Sequence, residues 1–326
     1  MAKSGVTVII PTYNHAAYID QTLVSVFTQS LPPDDVIVIN DGCTDNTDER
    51  VSPYLDRIQL WRQPHQGIVA TLNRASRSIR TPYVMYLASD DWLMPEAIEH
   101  LRAVLAAHHG VGVAHANRIK VDQHGRLVQA GAIPIHGVYS ALPNLLAQNT
   151  VYCPAIMCRR EAVREAGPMP DYPYCQDWWL WLSIALCGWH FYGVAETLGY
   201  YRRHPGNTSR IENLAALHLD EIAMLRDLID SAKLNSAMTA VARSTIKNRQ
   251  RVLAWLDTER GNREEARKAF AQLAQTESLS LNTIMGLAAV TMPLTMYRWF
   301  QRTGVGGTRE RSQVHASVLS EQEGST

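Results

Sequence analysis

Two adjacent carboxylates, Asp90 and Asp91, follow the apolar and aromatic run Tyr83–Leu87. Such a run predicts a strand that is buried in a sheet. Neighbouring carboxylates repel each other, so the pair requires a cation or strong hydrogen-bond donors nearby. A divalent metal ion with oxygen ligands, which commonly bridges to phosphates, would meet that requirement. The alternative is that one of the two caps a helix beginning near Pro95, and this stretch alone leaves both interpretations open.

Polar residues also follow two other strand-like runs. Pro11–Asn14 come after Val6–Ile10, and Asn40–Asp45 come after Val36–Ile39. The carboxyl ends of parallel strands meet at one edge of a sheet, where open α/β sheets bind their ligands. The chain contains neither G-x-G-x-x-G nor G-x-x-x-x-G-K-[ST]. A nucleotide at this edge would therefore depend on an aspartate for its base, an aromatic ring and a metal ion.

The elements that would position these residues alternate between strand and helix patterns over residues 1–120. Predicted strands cover 6–10, 36–39, 58–60, 83–87 and 112–116, and predicted helices cover 16–29, 45–56, 67–79 and 95–108. Alternation at this spacing is typical of right-handed βαβ units on a parallel sheet. We therefore predict an α/β fold with a Rossmann-like, mostly parallel sheet flanked by helices.

The second half of the chain changes character. Glycines and prolines break residues 120–175 into short pieces, a pattern often found in functional segments. Trp178–Cys187 predicts a helix that is apolar nearly all round and hence buried, and Phe191–Tyr201 predicts one or two strands. Further helical patterns cover 212–232, 239–257 and 262–275. The polar, Gly/Ser-rich stretch 304–326 is expected to be disordered.

Length and composition leave room for one large domain or for a domain with an appendage, because 46% of the 326 residues are hydrophobic. The formal net charge is zero, so nothing global indicates nucleic-acid binding. Five irregularly spaced cysteines without a C-x-x-C pair argue against a disulfide framework or zinc site and favour a reducing compartment. We expect neither a secretion signal nor a spanning helix, since the longest apolar window, Leu281–Leu294, is shorter than the ~20 residues needed. These features predict a cytoplasmic protein.

Taken in order, these segments resemble the family 2 glycosyltransferases, which have the GT-A fold. The segments that carry the resemblance are Val6–Asn14, Tyr18–Ile19, Ser25–Gln29, Val36–Thr47, Gly67, Asn73–Arg74, Leu87–Asp91, Gln176–Trp178 and Tyr201–His204. They cover about residues 5–210, and although no single motif is decisive, their succession is specific. The resemblance implies a GT-A-like catalytic domain at 1–210 that transfers sugar with inversion from a nucleotide-diphosphosugar.

The resemblance also implies roles for the residues at the strand ends. The donor-binding residues would be Pro11, Thr12, Tyr13, Asn14, Asp41, Arg74, Asp90 and Arg202. Thr12 and Tyr13 would line the base pocket, and Asp41 would accept a hydrogen bond from the base, typically uracil. Arg74 would face the same pocket or the phosphates. The guanidinium fork of Arg202 would match the geometry of a phosphate.

The implied cofactor is Mn²⁺ or Mg²⁺. By the resemblance, Asp91 would bind the metal, His204 would reach the metal or the diphosphate, and Asp90 would contact the donor or its ribose. His204 could otherwise be a solvated loop histidine. The family often shows Leu-Asp-x-Asp-Asp where this chain has Ala88 at the second position. This departure leaves two carboxylates instead of three.

Asp177 corresponds to the general base of the family, which takes the proton of the acceptor hydroxyl. The family usually has Glu-Asp where this chain has Gln176-Asp177, so the missing negative charge should lower the pKa of Asp177 relative to that pair. The alternative is that Asp177 caps the helix that follows. Gln176 and Trp178 would contact the acceptor. The scattered histidines His65, His108 and His109 are expected to be ordinary solvated residues.

The carboxy-terminal third, 211–303, is predicted to be a helical extension. Residues 241–312 hold 12 Lys/Arg against 6 Asp/Glu, and with Trp255, Trp299 and Phe300 this fits a surface that contacts anionic lipid. The alternative is a helical cap that packs on the catalytic domain or mediates self-association. By analogy with the family, the acceptor would be a glycan of a bacterial surface polysaccharide or its lipid-linked precursor, and the protein would lie at the inner face of the membrane.

Two other functions remain open at this point. A non-catalytic nucleotide-sugar-binding or scaffold protein could keep the same fold; Ala88 and Gln176 favour it, whereas the presence of Asp91 and Asp177 opposes it. A nucleotidyltransferase would also open with a parallel nucleotide-binding sheet. It would need a Gly-rich phosphate loop bearing Arg or Lys after the first strand, and the chain has none there.

Overall fold

The structure of the protein, a computed structural model, describes residues 4–131, 133, 135–152, 154–207, 211–276 and 281–292. The chain forms two compact units that divide between Pro205 and Gly206. The first unit carries the sheet, and the second is helical over its described residues. The predicted disordered tail, 304–326, and the aromatic residues Trp299 and Phe300 lie outside the described residues.

In the first unit, the described strands form one mixed sheet. They are β1 (Val6–Thr12), β2 (Asp35–Asp41), β3 (Gln59–Gln63), β4 (Tyr83–Tyr86), β5 (Trp92–Leu93), β6 (Val111–Val121), β7 (Leu127–Ala130), β8 (Gly137–Tyr139), β9 (Ile156–Arg159) and β10 (His190–Arg202). Their order is β3-β2-β1-β4-β9-β6-β10-β5, with β7 beside β6 and β8 beside β10. The first four strands pair in parallel, as their alternation with helices predicts.

Helices cover the sheet with apolar faces. Those of the first unit are α1 (Ile19–Phe27), α2 (Thr47–Val51), α3 (Ile68–Ser76), α4 (Ala97–Ala107), α5 (Leu142–Ala147), α6 (Arg160–Ala166) and α7 (Gln176–Leu186). On α1, the helically spaced residues Ile19, Leu23 and Val26 are fully buried and share one core with Val8 and Ile10 of β1. Each such side chain contributes roughly 1.5–3 kcal/mol when it leaves water. Burial of this stripe fixes α1, and with it the loop that connects β1 to α1.

A strand that the sequence did not predict lies in the middle of the sheet. β9 has four residues, pairs antiparallel with both β4 and β6, and interrupts the run of parallel strands. Ile156, Met157 and Cys158 are buried there. The segment is too short for a hydrophobic period and follows Pro154 within the irregular stretch, so only its tertiary pairing identifies it as a strand.

The second unit consists of helices over its described residues. They are α8 (Leu214–Asp230), α9 (Ser236–Arg260), α10 (Arg263–Thr276) and α11 (Leu281–Thr291). Asn235 caps α9 by accepting a hydrogen bond from the Met238 backbone N–H at 2.9 Å, and Gly261 ends it in the left-handed conformation. Trp255 is 1% exposed and packs edge-on against Phe270. Its expected place on a lipid-facing surface is therefore wrong, because the ring belongs to the core of this unit.

Residues 281–291 of the predicted apolar window form α11. Along the described chain, we find no helix that combines the length and the apolarity required to span a bilayer.

Candidate active site

The ends of three parallel strands meet at one edge of the sheet. Thr12 at the end of β1 pairs with Asn40 of β2, and Ile9 of β1 pairs with Tyr86 at the end of β4. The loops that follow these strands carry the polar residues singled out in the sequence. The three strand ends therefore lie next to one another, as the sequence predicted.

The loops after β1 and β2 are joined by one asparagine. Asn14 has a φ of +56°, a left-handed conformation that Asn tolerates better than most residues. Its Oδ1 accepts hydrogen bonds from the backbone N–H groups of Thr44 at 2.7 Å and Asp45 at 3.3 Å. Asp45 in turn accepts from the Ala16 backbone N–H at 3.0 Å. Asn14 therefore shapes the crevice by holding the two loops together.

Asp41 holds the loop between β3 and α3 through hydrogen bonds to its backbone. It is 4% exposed, and its Oδ1 accepts hydrogen bonds from Gln63 Nε2 at 2.6 Å and from the Gln66 backbone N–H at 3.0 Å. Its Oδ2 accepts from the Gly67 backbone N–H at 2.9 Å and lies 3.0 Å from His65 Nδ1. An ionised carboxylate offers about four lone-pair positions. Three hydrogen-bond donors engage the carboxylate, and His65 Nδ1, which also lies 3.1 Å from the Asp41 backbone carbonyl oxygen, covers the remaining side. A base could therefore reach Asp41 most readily by displacing His65.

The exposed side of the crevice near Asp41 is formed by Tyr13 and His65. Their rings stack with centroids 4.1 Å apart, and Tyr13 is 43% exposed. His65 is thus not the ordinary solvated histidine that the sequence predicted. Thr12, expected to line the pocket, is 2% exposed, so its side chain is buried at the end of β1. The neighbouring Pro11 is half-buried on the same strand.

Arg74 is connected to Asp41 through the side chain of Gln63. Its guanidinium donates a hydrogen bond to Gln63 Oε1 at 2.6 Å and lies 5.1 Å from the centroid of the Trp61 ring. Gln63 then donates to Asp41. The structure therefore places Arg74 at the pocket side of the crevice.

The acidic loop, residues 87–91 between β4 and β5, is held in place through its backbone. The hydroxyl of Thr22 on α1 donates to the carbonyl oxygens of Ser89 at 2.9 Å and Asp91 at 2.7 Å. The interpretation of Asp90 or Asp91 as a helix cap is wrong, because β5 follows directly and α4 begins only at Ala97. The two carboxylates are presented by a loop held against α1.

The carboxylate of Asp91 is directed into the protein. Asp91 is 1% exposed, and its Oδ1 accepts the Arg202 backbone N–H at 2.9 Å. Its Oδ2 is buried without a hydrogen-bond partner among the described residues. Burial, followed by the nearby charge of Asp90, raises the pKa of Asp91 well above its ordinary value.

Asp90 belongs to a cluster of possible metal ligands. Asp90 Oδ2 lies 2.8 Å from His204 Nε2, and these side chains are 8% and 4% exposed. One potential ligand atom from each of His15, Asp90 and His204 lies within 4.8 Å of the other two. Burial lowers the pKa of His15, which keeps its imidazole neutral and able to bind a cation. The geometry therefore favours Asp90 over the expected Asp91 as the carboxylate that faces a metal.

Arg202 is occupied by contacts within the protein. It is 3% exposed, and its guanidinium donates to the Asp90 carbonyl at 3.0 Å, the Gln123 carbonyl at 2.9 Å and Gln21 Oε1 at 2.6 Å. The group also lies 4.6 Å from the centroid of the Trp92 ring. These contacts fix the end of β10 against the acidic loop. They favour a positioning role for Arg202 over the expected phosphate contact.

Asp177 is a half-buried residue on the first turn of α7. Its Oδ1 accepts the Trp178 backbone N–H at 2.6 Å, and its Oδ2 accepts a hydrogen bond from Asn149 Nδ2 at 3.1 Å. The capping alternative is wrong, since Cys175 is the residue before α7 and no side-chain cap is formed. Burial raises the pKa of Asp177 above its ordinary value, against the lowering effect of these two donors and of the Arg118 charge.

The expected acceptor contact of Trp178 is wrong. The side chain is 1% exposed, and its indole N–H donates to the Leu145 carbonyl at 2.7 Å. Trp178 therefore anchors α7 to the core. Gln176, the other acceptor candidate, is half-buried on the same turn as Asp177.

Arg118 is a site residue that the sequence did not reveal. The positive charge of this β6 residue lowers the pKa of both Asp91 and Asp177. Its guanidinium lies 4.7 Å from the centroid of the Tyr152 ring and 4.6 Å from that of Tyr201. Neither its sequence neighbours nor its spacing mark it, because both carboxylates lie far from it in the sequence.

A family model described as glycosyl transferase family 2 matches residues 7–166, the part of the chain that contains the acidic loop and the loops after β1 and β2. This part of the chain belongs to glycosyl transferase family 2. The resemblance read from the sequence motifs is thereby confirmed. The chain is 28% identical over 211 residues to the putative teichuronic acid biosynthesis glycosyltransferase TuaG of Bacillus subtilis, a match that covers 61% of this chain and 79% of TuaG. The chain is also 30% identical over 129 residues to the chondroitin synthase of Pasteurella multocida, a match that covers 39% of this chain and only 13% of that relative.

Solved structures share the fold. TarS 1–349 of S. aureus, in complex with UDP-GlcNAc, superimposes with a TM-score of 0.62 at 16% identity, covering 93% of this chain and 92% of TarS 1–349. The mannosyltransferase PcManGT of Pyrobaculum calidifontis, in complex with GDP-Man and Mn²⁺, gives a TM-score of 0.58 at 17% identity, with coverages of 98% and 87%. These matches confirm the predicted GT-A fold with its mostly parallel sheet and carboxy-terminal helices.

Proposed function

We propose that this family member is an inverting, metal-dependent glycosyltransferase that moves a sugar from a nucleotide-diphosphosugar, with UDP as the favoured nucleotide, to an acceptor hydroxyl. The observation that carries the proposal is the cluster of His15, Asp90 and His204 at the sheet edge that also holds Tyr13 and Asp41. The structural neighbours support it, since TarS was solved with UDP-GlcNAc and PcManGT with GDP-Man and Mn²⁺.

The donor set of the acidic loop fits a divalent cation. Asp90 and His204 offer ligand atoms at close range, and a nearby cation would favour the ionised form of Asp91, whose buried Oδ2 has no hydrogen-bond partner among the described residues. We assign Asp90 and His204 as ligands and Asp91 as the neighbour that holds Arg202. A bound Mn²⁺ or Mg²⁺ would stabilise the charge that develops on the leaving diphosphate.

Asp177 is the proposed general base. In its ionised form it would accept the proton of the acceptor hydroxyl while that oxygen attacks the anomeric carbon opposite the leaving diphosphate, a contribution of roughly 10²–10⁴-fold. The donors of Trp178 and Asn149 hold the carboxylate in one orientation. The raised pKa of Asp177 strengthens it as a base, because it brings the group nearer to the working pH.

The nucleotide base is proposed to bind beside Tyr13. An exposed aromatic ring offers a stacking surface, whereas the Asp41 carboxylate already accepts three hydrogen bonds within the protein. His65 is the partner of Asp41 that could most easily be displaced, since its side chain is 53% exposed. A base that replaced His65 would gain both the Tyr13 ring and the Asp41 carboxylate.

The proposed acceptor is a hydroxyl of a bacterial surface polysaccharide or of its lipid-linked precursor. The putative role of TuaG in teichuronic acid biosynthesis supports a glycan acceptor. A cytoplasmic location at the inner face of the membrane would suit such an acceptor. The excess of basic residues in 241–312 could favour contact with anionic lipid there.

The test begins with a thermal-shift screen of nucleotide-sugars in the presence of Mn²⁺. The proposal predicts that a UDP-sugar raises Tm and that nucleotide diphosphate is released when glycan acceptors are added. Asp177→Asn should keep the shift in Tm and lose the release. If no nucleotide-sugar raises Tm, with or without Mn²⁺, the proposed function is wrong.

A further inference from the structure

His15 lies in the loop after β1 and approaches the Asp90–His204 pair. Its ring centroid is 5.5 Å from that of His204, and the two rings are nearly perpendicular, at 86°. Its Nδ1 lies 2.8 Å from the hydroxyl oxygen of Ser89. The His15, Asp90 and His204 ligand atoms lie within 4.8 Å of one another, close enough for one cation to reach all three.

We infer that His15 is a third protein ligand of the metal site and that the resulting set of two imidazoles and one carboxylate selects a first-row transition-metal ion over Mg²⁺. This inference rests on the proposed metal-dependent function and names the ligand and the class of ion that it uses. His15 is absent from the ligand set that the sequence motifs implied.

Ser89 orients the His15 ring for this role. Because Nδ1 is engaged with the Ser89 hydroxyl, Nε2 is the atom left for the cation. Histidine ligands usually use one ring nitrogen for the metal and give the other to such a hydrogen-bond partner. Ser89 is itself 1% exposed, and its carbonyl accepts the Thr22 hydroxyl at 2.9 Å. The imidazole is therefore tied to the same loop that presents Asp90.

The ligand types decide the selectivity. Mg²⁺ prefers oxygen ligands in near-ideal octahedral geometry and usually keeps several waters. Imidazole nitrogen binds transition metals better, and affinity at a given site rises from Mn²⁺ to Co²⁺ and Ni²⁺. Three protein ligands also leave coordination positions open for diphosphate oxygens. The set is thus suited to a transition metal that shares its remaining positions with the donor.

The experiment titrates the metal alone into the full chain, without nucleotide. Mn²⁺ binding is followed by the loss of the free-ion EPR signal, Co²⁺ binding by its visible absorption, and Mg²⁺ is added as competitor. We expect Mg²⁺ to be needed at roughly tenfold or greater excess to displace Mn²⁺. His15→Asn should weaken Mn²⁺ binding at least tenfold and change the Co²⁺ spectrum, and Ser89→Ala should weaken Mn²⁺ binding about tenfold.

The matched control is His100→Asn, an exposed histidine on α4, which should bind both ions as the unmodified protein does. Circular dichroism checks that each variant is folded. The inference is overturned if folded His15→Asn binds Mn²⁺ and Co²⁺ unchanged, or if Mg²⁺ competes as an equal. Thermal shifts with UDP-sugar separate the two hypotheses. If Mn²⁺-dependent donor binding persists while His15→Asn has no effect on metal affinity, only the inference fails.

Discussion

Asp177 owes its properties to a small set of neighbours. Burial raises its pKa, while the Trp178 and Asn149 hydrogen bonds and the charge of Arg118 oppose that rise. Replacement of the family's usual Glu by Gln176 removes one like charge, yet desolvation still dominates. The carboxylate is thereby oriented and made more basic without a second acid beside it.

At this scale, Asp177→Asn should lower kcat by at least ~10²-fold and leave the Kd for the donor nearly unchanged. The amide keeps the size of the side chain but cannot take a proton. Steady-state kinetics and calorimetry of donor binding would measure the two effects. Asp171→Asn, at an exposed position of the preceding loop, is the matched control. Turnover retained by Asp177→Asn would remove it as the base.

The pH dependence of kcat/KM should show an acid limb that lies above the ordinary pKa of an aspartate. The proposed base acts when ionised, so activity should be lost as the pH falls through the raised pKa of Asp177 and should be full above it. Asn149→Asp removes the donor to Asp177 Oδ2 and adds a negative charge, but keeps an acceptor for the Val151 backbone N–H. The acid limb of the kcat/KM profile should then move to higher pH, because the pKa of Asp177 rises further. A limb that stays in place would contradict this coupling.

At the scale of elements, the turn after β2 shapes the proposed nucleotide pocket. Gly42 has a φ of +77°, and a Cβ there would lie 2.6 Å from the His65 backbone nitrogen. Glycine is therefore required both by conformation and by the close approach of the loop that bonds to Asp41. The fit of these two loops decides where Tyr13 and His65 meet.

Gly42→Ala should cost about 1–3 kcal/mol of folding free energy and weaken nucleotide binding, because the loop at His65 must move. Urea unfolding and UDP titration would measure the two changes. Gly167→Ala is a matched control, since Gly167 has the same φ of +77° with nothing within 4 Å of the added Cβ. It should show the smaller conformational cost alone. Equal losses in both variants would refute the close-approach argument.

Elements that depend on local patterns could be predicted from the sequence, whereas contacts between distant residues could not. The strand Val6–Ile10 and the helical stripe of α1 are continuous apolar patterns, so their burial follows from local spacing. The contact of His204 with Asp90 spans 114 residues, and the arrangement around it depends on strand pairings that no local pattern encodes. The different surroundings of Asp90 and Asp91 could not be predicted for that reason. Adjacent carboxylates look equivalent until Arg202 is seen to bond with one of them.

At the scale of the whole molecule, the charge is uneven although its sum is zero. Residues 241–312 carry the basic excess, and several of the basic residues, such as Arg243 and Arg267, are exposed. Surface Lys and Arg attract anionic headgroups by about 1 kcal/mol each, and salt screens the attraction. A lipid-linked acceptor would make such an attraction useful to the proposed activity.

The full chain should therefore sediment with anionic lipid vesicles at low salt and dissociate as salt is raised. The double variant Arg243→Glu with Arg267→Glu should weaken this binding at least about fivefold. Arg77→Glu, an exposed charge change in the first unit, serves as control. A chain that never binds vesicles would favour the alternative helical cap.

Calorimetric titration of UDP, with and without Mn²⁺, measures whether a metal ion held at Asp90 would support nucleotide binding. We expect Mn²⁺ to tighten UDP binding at least ~10-fold over a chelator control, a gain of about 1.4 kcal/mol. Asp90→Asn should lose this gain. Asp91→Asn, which keeps an acceptor for the Arg202 N–H, should retain most of it. A UDP affinity that does not change with Mn²⁺, or an Mn²⁺ effect that remains in Asp90→Asn, would contradict the proposed role of Asp90.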